Sequence, residues 1–159
     1  MLLESLDSRD VFEQYIIAGG PHTPVEILVA LAKNAAHKVR MRVAENPHTP
    51  AEILEKLAYD SHPDVRIAVG SNTSVPNHVL IALLNDADPT VRFSLAEDAN
   101  TPAHILESLA EDDNPYVVQR VRKTLSILSS NVVDASVFER VITLVCDGPD
   151  PADTDVQFA

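Results

Sequence analysis

A chain of 159 residues with 45% apolar content can bury a hydrophobic core as a single domain. Twelve Lys and Arg against 24 Asp and Glu leave a formal net charge of −12, which repels nucleic-acid phosphates and anionic membrane surfaces and favours a neutral or basic protein partner. The single cysteine, Cys146, excludes an internal disulfide, and no apolar run reaches bilayer-spanning length, so a reducing, cytoplasmic setting without membrane contact is expected.

Residues 1–23 hold the tail of a repeat. Ile17-Ala18 align with Val43-Ala44, and Pro21-His22-Thr23 with Pro47-His48-Thr49, which predicts a degenerate repeat acting as an N-terminal helical cap. From residue 24 to 127 the chain repeats every 26 residues without insertion or deletion, each copy opened by Pro24, Pro50, Pro76 or Pro102. A fixed period in this range is the signature of a solenoid, whose core lies between neighbouring repeats and whose long surfaces hold partners.

Each copy begins with apolar residues at helical spacing: Ile27, Leu28 and Leu31, then Ile53, Leu54 and Leu57, then Val79, Leu80 and Leu83, then Ile105, Leu106 and Leu109. Thr23-Pro24 with Glu26 and Thr49-Pro50 with Glu52 read as capping boxes, with threonine at N-cap and proline at the first helical position. Thr101-Pro102 keeps the cap, whereas Val75-Pro76 lacks the hydroxyl, so the first helix of the third copy is expected to fray most readily.

A second helix is announced by His62-Pro63, Asp88-Pro89 and Asn114-Pro115, each a polar cap before proline; Ala36-His37 replaces that pair in the first copy. Its apolar arc is wide: Val39, Arg40, Met41, Val43 and Ala44, then Val65, Ile67, Val69 and Gly70, then Val91, Phe93, Leu95 and Ala96. Such a helix is wedged between its own partner and the next repeat, with Gly70 marking a close approach. After residue 128 the register is lost; residues 128–146 read as a capping helix and 147–159 as a mobile acidic tail.

Two columns carry opposite charge. Gln14, Arg40, Arg66, Arg92 and Val118 match Asn34, Asp60, Asp86, Asp112 and Phe138 in kind when each is paired with the following repeat, whereas pairing within a repeat sets Arg40 against Asn34 and Asp112 against Val118. An arginine there can donate to a carboxylate and to adjacent turn carbonyls, making Arg40–Asp60, Arg66–Asp86 and Arg92–Asp112 a structural ladder that sets repeat register.

The strings His62-Pro63-Asp64-Val65-Arg66-Ile67-Ala68-Val69 and Asp88-Pro89-Thr90-Val91-Arg92, with the link Asn46-Pro47-His48-Thr49-Pro50, resemble the leucine-rich repeat variant family, a HEAT-like helical repeat. The resemblance covers about two thirds of the chain and implies an all-α, right-handed α-solenoid of four two-helix repeats with helical caps, acting as a binding scaffold without shared catalytic residues. An iron–sulfur cluster, known in the family's early example, needs several thiolates that one cysteine does not supply.

No cofactor is expected, and no metal: His22 with His48, and His78 with His104, sit in equivalent positions roughly 10 Å apart, too far to share an ion. Nor does a nucleophile motif, phosphate loop or carboxylate pair stand out, so a non-catalytic role is expected; the alternatives are a HEAT-like enzyme of DNA-glycosylase or bilin-lyase type and an acidic decoy for a nucleic-acid-binding protein. The candidate partner surface is the outward face of the second helices, carried by Arg42, Ala68, Ser71, Phe93, Ser94, Glu97, Tyr116 and Arg120, with Glu45 and Lys123 beside them. A smooth strip of that kind suits a partner helix or extended peptide, and an exposed aromatic residue beside it would favour a binding site.

Overall fold

Stacked helical hairpins follow from the repeated apolar pattern, because neither helix of a pair can hide its stripe alone. The computed structural model describes residues 9–131, with side chains described to Leu128, and within them there are nine α-helices and no strand. A lone helix, α1 (Val11–Ala18), is followed by four pairs: α2 (Val25–Leu31) with α3 (His37–Glu45), α4 (Ala51–Leu57) with α5 (Pro63–Gly70), α6 (Asn77–Leu84) with α7 (Pro89–Glu97), and α8 (Ala103–Leu109) with α9 (Pro115–Asn131). The architecture is an α-solenoid. The expected capping helix beyond Asn131 and the acidic tail lie outside the described residues, although α9 itself runs on past residue 128.

The second helices make the tighter layer, α1 against α3, α3 against α5, α5 against α7 and α7 against α9. Their buried faces are mainly valine and alanine, as with Val39, Val43 and Ala44, then Val65, Ala68 and Val69, with Leu95 added on α7, whereas the first helices bury mainly leucine and isoleucine. At Gly70 the space a side chain would fill is taken by the next repeat: a Cβ there would stand 2.9 Å from Leu95 Cδ2. The core is one continuous cluster from Ala18 to Val121.

The threonines do not form the expected capping boxes. Pro24, Pro50, Pro76 and Pro102 are themselves the N-caps, with extended ψ near 144°, and no side chain caps these helices. The threonine hydroxyls instead donate backwards: Thr23 to the Ile17 carbonyl at 2.5 Å, Thr49 to Val43 at 2.5 Å and Thr101 to Leu95 at 2.8 Å. The physical reason is burial. The last-turn carbonyls of the preceding helix face the turn and lack intrahelical donors, whereas Val25, Glu26, Ala51 and Glu52 at the next helix start are exposed to water. With no threonine cap to lose, the case for early fraying of α6 disappears.

Second helices are capped as their sequences suggest. The His62 Nδ1 accepts from the Asp64 N–H at 3.4 Å, Asp88 Oδ1 from Thr90 at 2.9 Å and Asn114 Oδ1 from Tyr116 at 2.9 Å, while Ala36 at the start of α3 offers no side-chain bond. Together the Thr90 hydroxyl and N–H hold the Asp88 carboxyl below the usual carboxylate range.

Candidate functional site

The arginine ladder joins successive repeats. Arg40 Nε and Nη2 donate to the two Asp60 oxygens at 2.6 and 2.8 Å, Arg66 to Asp86 at 2.6 and 2.8 Å, and Arg92 to Asp112 at 2.7 and 3.0 Å. The third donor of each fork reaches a turn carbonyl of its own repeat: Asn34 at 2.7 Å, Asp60 at 2.8 Å and Asp86 at 2.6 Å. At the N-terminal end the uncharged rung is Asn34 Nδ2 donating to Gln14 Oε1 at 2.7 Å; Phe138, expected opposite Val118, lies outside the described residues.

Each aspartate also accepts from the backbone N–H two residues on, as Asp60 Oδ1 does from His62 at 2.9 Å. Burial alone would raise the Asp60 and Asp112 carboxyls, but the arginine and backbone hydrogen bonds outweigh it and hold both below the usual range. Hydrogen bonding to the carboxylates likewise raises Arg40, Arg66 and Arg92 against the opposing pull of burial. Every fork direction is occupied from within the stack, which makes these arginines register devices and leaves an anion-binding row unsupported.

A second ladder was not read from the sequence. Asn46 Nδ2 donates to the Ala18 and Gly20 carbonyls at 2.7 and 2.9 Å, and Asn72 Nδ2 to Ala44 and Asn46 at 2.6 and 3.0 Å. The Oδ1 of each holds its own turn, accepting from His48 and Ser74 N–H. Thr124 does part of this work, donating to Ala96 at 2.6 Å. The signal available was an asparagine recurring at the period, two residues after Val43-Ala44 and Val69-Gly70.

The surface of the second-helix layer carries the candidate partner residues. Tyr15, Met41, Ile67 and Phe93 form a partly buried column along it. Arg42 lies over the Tyr15 ring at 5.4 Å and Arg120 over the Phe93 ring at 5.7 Å, equivalent positions in the first and last repeats. Arg42 Nη1 meets Glu45 Oε2 at 2.7 Å and Arg120 meets Glu97; the Nε of both arginines is buried with no hydrogen-bond partner among the described residues. Gly19 gives Arg42 its place, since a Cβ there would lie 2.1 Å from Arg42 Nε. Each arginine is thus held against an aromatic ring from within the stack.

One expected surface residue is not on the surface. Ala68 is only 6% exposed and belongs to the core, because a methyl is too short to emerge between its neighbours in a layer packed on both sides. Arg42, Ser94, Phe93 and Arg120 are half-buried, and Ser71, Glu97 and Tyr116 are exposed. Phe93, Tyr116 and Arg120 come together in a groove of about 660 Å³ between α7 and α9, completed by Gln119, Arg122, Lys123 and Ser126. Tyr116 is 72% exposed, and Arg42, Ser71, Ser94 and Glu97 are not among the residues lining this groove. No helix among the described residues is long and apolar enough to cross a membrane.

The family model described as leucine rich repeat variant matches residues 37–62, one period running from the start of α3 through α4 to the cap of α5. No curated protein and no solved structure matches the chain.

Proposed function

We propose, on the premise of the leucine rich repeat variant match at residues 37–62, that the chain is a non-catalytic scaffold holding a protein or peptide partner on the surface of its second helices. The observation that carries this reading is the groove between α7 and α9, where the exposed Tyr116 ring stands beside Phe93 and the Arg120 guanidinium. Aromatic rings and arginine at the centre of a concave surface are what a binding hot spot is made of, since they bury large area at small entropic cost. The repeat family supports a scaffold, and the second-helix layer supplies a continuous surface for a helix or an extended segment. The groove carries Arg120, Arg122 and Lys123, which suits a neutral or acidic anchor segment there, while the net charge of −12 favours a partner that is basic where it meets the rest of the surface.

The test is affinity capture with the full chain at low and high salt, comparing wild type with Tyr116→Ala combined with Lys123→Glu, and with Glu52→Ala combined with His104→Ala on the first helices. A partner lost only with the Tyr116 variant supports the reading. A partner retained by that variant and lost with the first-helix variant moves the site to the other layer. Release by salt from every variant alike makes the acidic exterior the binding determinant.

A further inference from the structure

Where the repeat pattern breaks, two histidines meet. Positions equivalent to His37 hold Pro63, Pro89 and Pro115, and the position equivalent to His62 in the first copy is Ala36. The first repeat thus has a histidine one residue later than the second, at the start of α3 where His62 caps α5. Because the two helices lie side by side, this one-residue stagger brings the imidazoles face to face, with ring centroids 3.8 Å apart and planes within 2°. The Asp64 carboxylate completes the group, 3.6 Å from His62 Nδ1, and the ligand atoms of His37, His62 and Asp64 all lie within 4.8 Å of one another.

We propose that His37, His62 and Asp64 bind a borderline divalent transition metal of the zinc type, in an open site that clamps α3 to α5. Two imidazoles and one carboxylate are a donor set that suits zinc and disfavours calcium or magnesium, which take oxygen ligands. Zinc–nitrogen bonds near 2.0–2.1 Å require the two donors to converge on one point. Parallel rings aim their lone pairs side by side, so binding opens the stack into a V by side-chain rotation, which the half-exposed His37 and His62 have room to make. Water takes the remaining coordination positions. The separation argument that keeps His22 from His48 and His78 from His104 does not reach this pair, since its members are not equivalent residues but staggered ones.

The experiment is a zinc titration of the full chain by calorimetry and thermal unfolding, in a Cys146→Ser background so that the thiol cannot supply a ligand. His62→Asn keeps a capping side chain for α5 while removing the imidazole, and His37→Gln removes the other. His78→Gln serves as control, because His78 pairs with Glu55 at 3.0 Å elsewhere on the surface. The expected result is saturable one-to-one binding with a zinc-dependent rise in Tm, both abolished by His37→Gln and by His62→Asn and both kept by His78→Gln. Absence of saturable binding, or binding that survives either His37→Gln or His62→Asn, overturns the proposal.

Discussion

Asp98 stands in the column that Asn46 and Asn72 fill in the earlier repeats, with nearly the same backbone angles as Asn46. Its Oδ1 does the asparagine's local work, accepting from the Asn100 N–H at 2.8 Å. Its other oxygen cannot donate to the Gly70 and Asn72 carbonyls, the positions matching those that Asn46 and Asn72 satisfy, and a cavity of about 250 Å³ lined by Gly70, Asn72, Asp98 and Thr101 lies there. Asp98→Asn is therefore expected to stabilise the protein by about 1 kcal/mol, the usual net worth of a buried hydrogen bond, read as a higher urea midpoint with unchanged m. A lower midpoint would mean that the carboxylate has a role that the ladder geometry does not require.

At the scale of the helix, stability is shared between neighbours. Helices of seven to nine residues, such as α2 and α3, are too short to persist alone in water, so the ties between repeats decide whether they form. Arg66 and Asp86 are 15% and 7% exposed as side chains, a pair buried enough that removing one partner strands the other. Asp86→Val is expected to cost roughly 3–5 kcal/mol by leaving the Arg66 guanidinium without its carboxylate. Adding Arg66→Leu should recover part of that loss, and chemical denaturation of both variants measures the coupling; a double variant no more stable than Asp86→Val would sink the account of the ladder. The arginine columns were legible because their partners matched in kind from repeat to repeat. The threonine turn was misread because Thr-Pro-x-Glu fits a capping box locally, and only burial of the preceding helix end shows which backbone group lacks a donor.

Across the whole molecule the ladder couples stability to acid. The folded Asp60 and Asp112 carboxyls lie below their unfolded value of about 3.9. The unfolded chain therefore binds more protons in this range, so their contribution is complete above about pH 4 and is lost as pH falls through the folded values. Urea unfolding followed from pH 7 to pH 2 should show stability falling steeply below about pH 4, and Asp60→Asn should reduce that slope. An unchanged slope would place the acid sensitivity in other carboxylates of this −12 chain.

The period of 26 residues, the apolar stripes and the prolines determined from sequence alone that the chain is an α-solenoid, because helix identity and repeat stacking depend on features that recur locally and identically. Tertiary structure decided what depends on how far one repeat is offset from the next. It buried Ala68, which a helix wheel points outward, and turned the threonines back towards the preceding helix. It also gathered Phe93, Tyr116 and Arg120 into one groove and set His37 against His62 across a one-residue stagger. The pairs Phe93–Tyr116, His37–His62 and Phe93–Arg120 are 23 to 27 residues apart in sequence, and the distance between such residues is set by helix packing, on which local periodicity is silent.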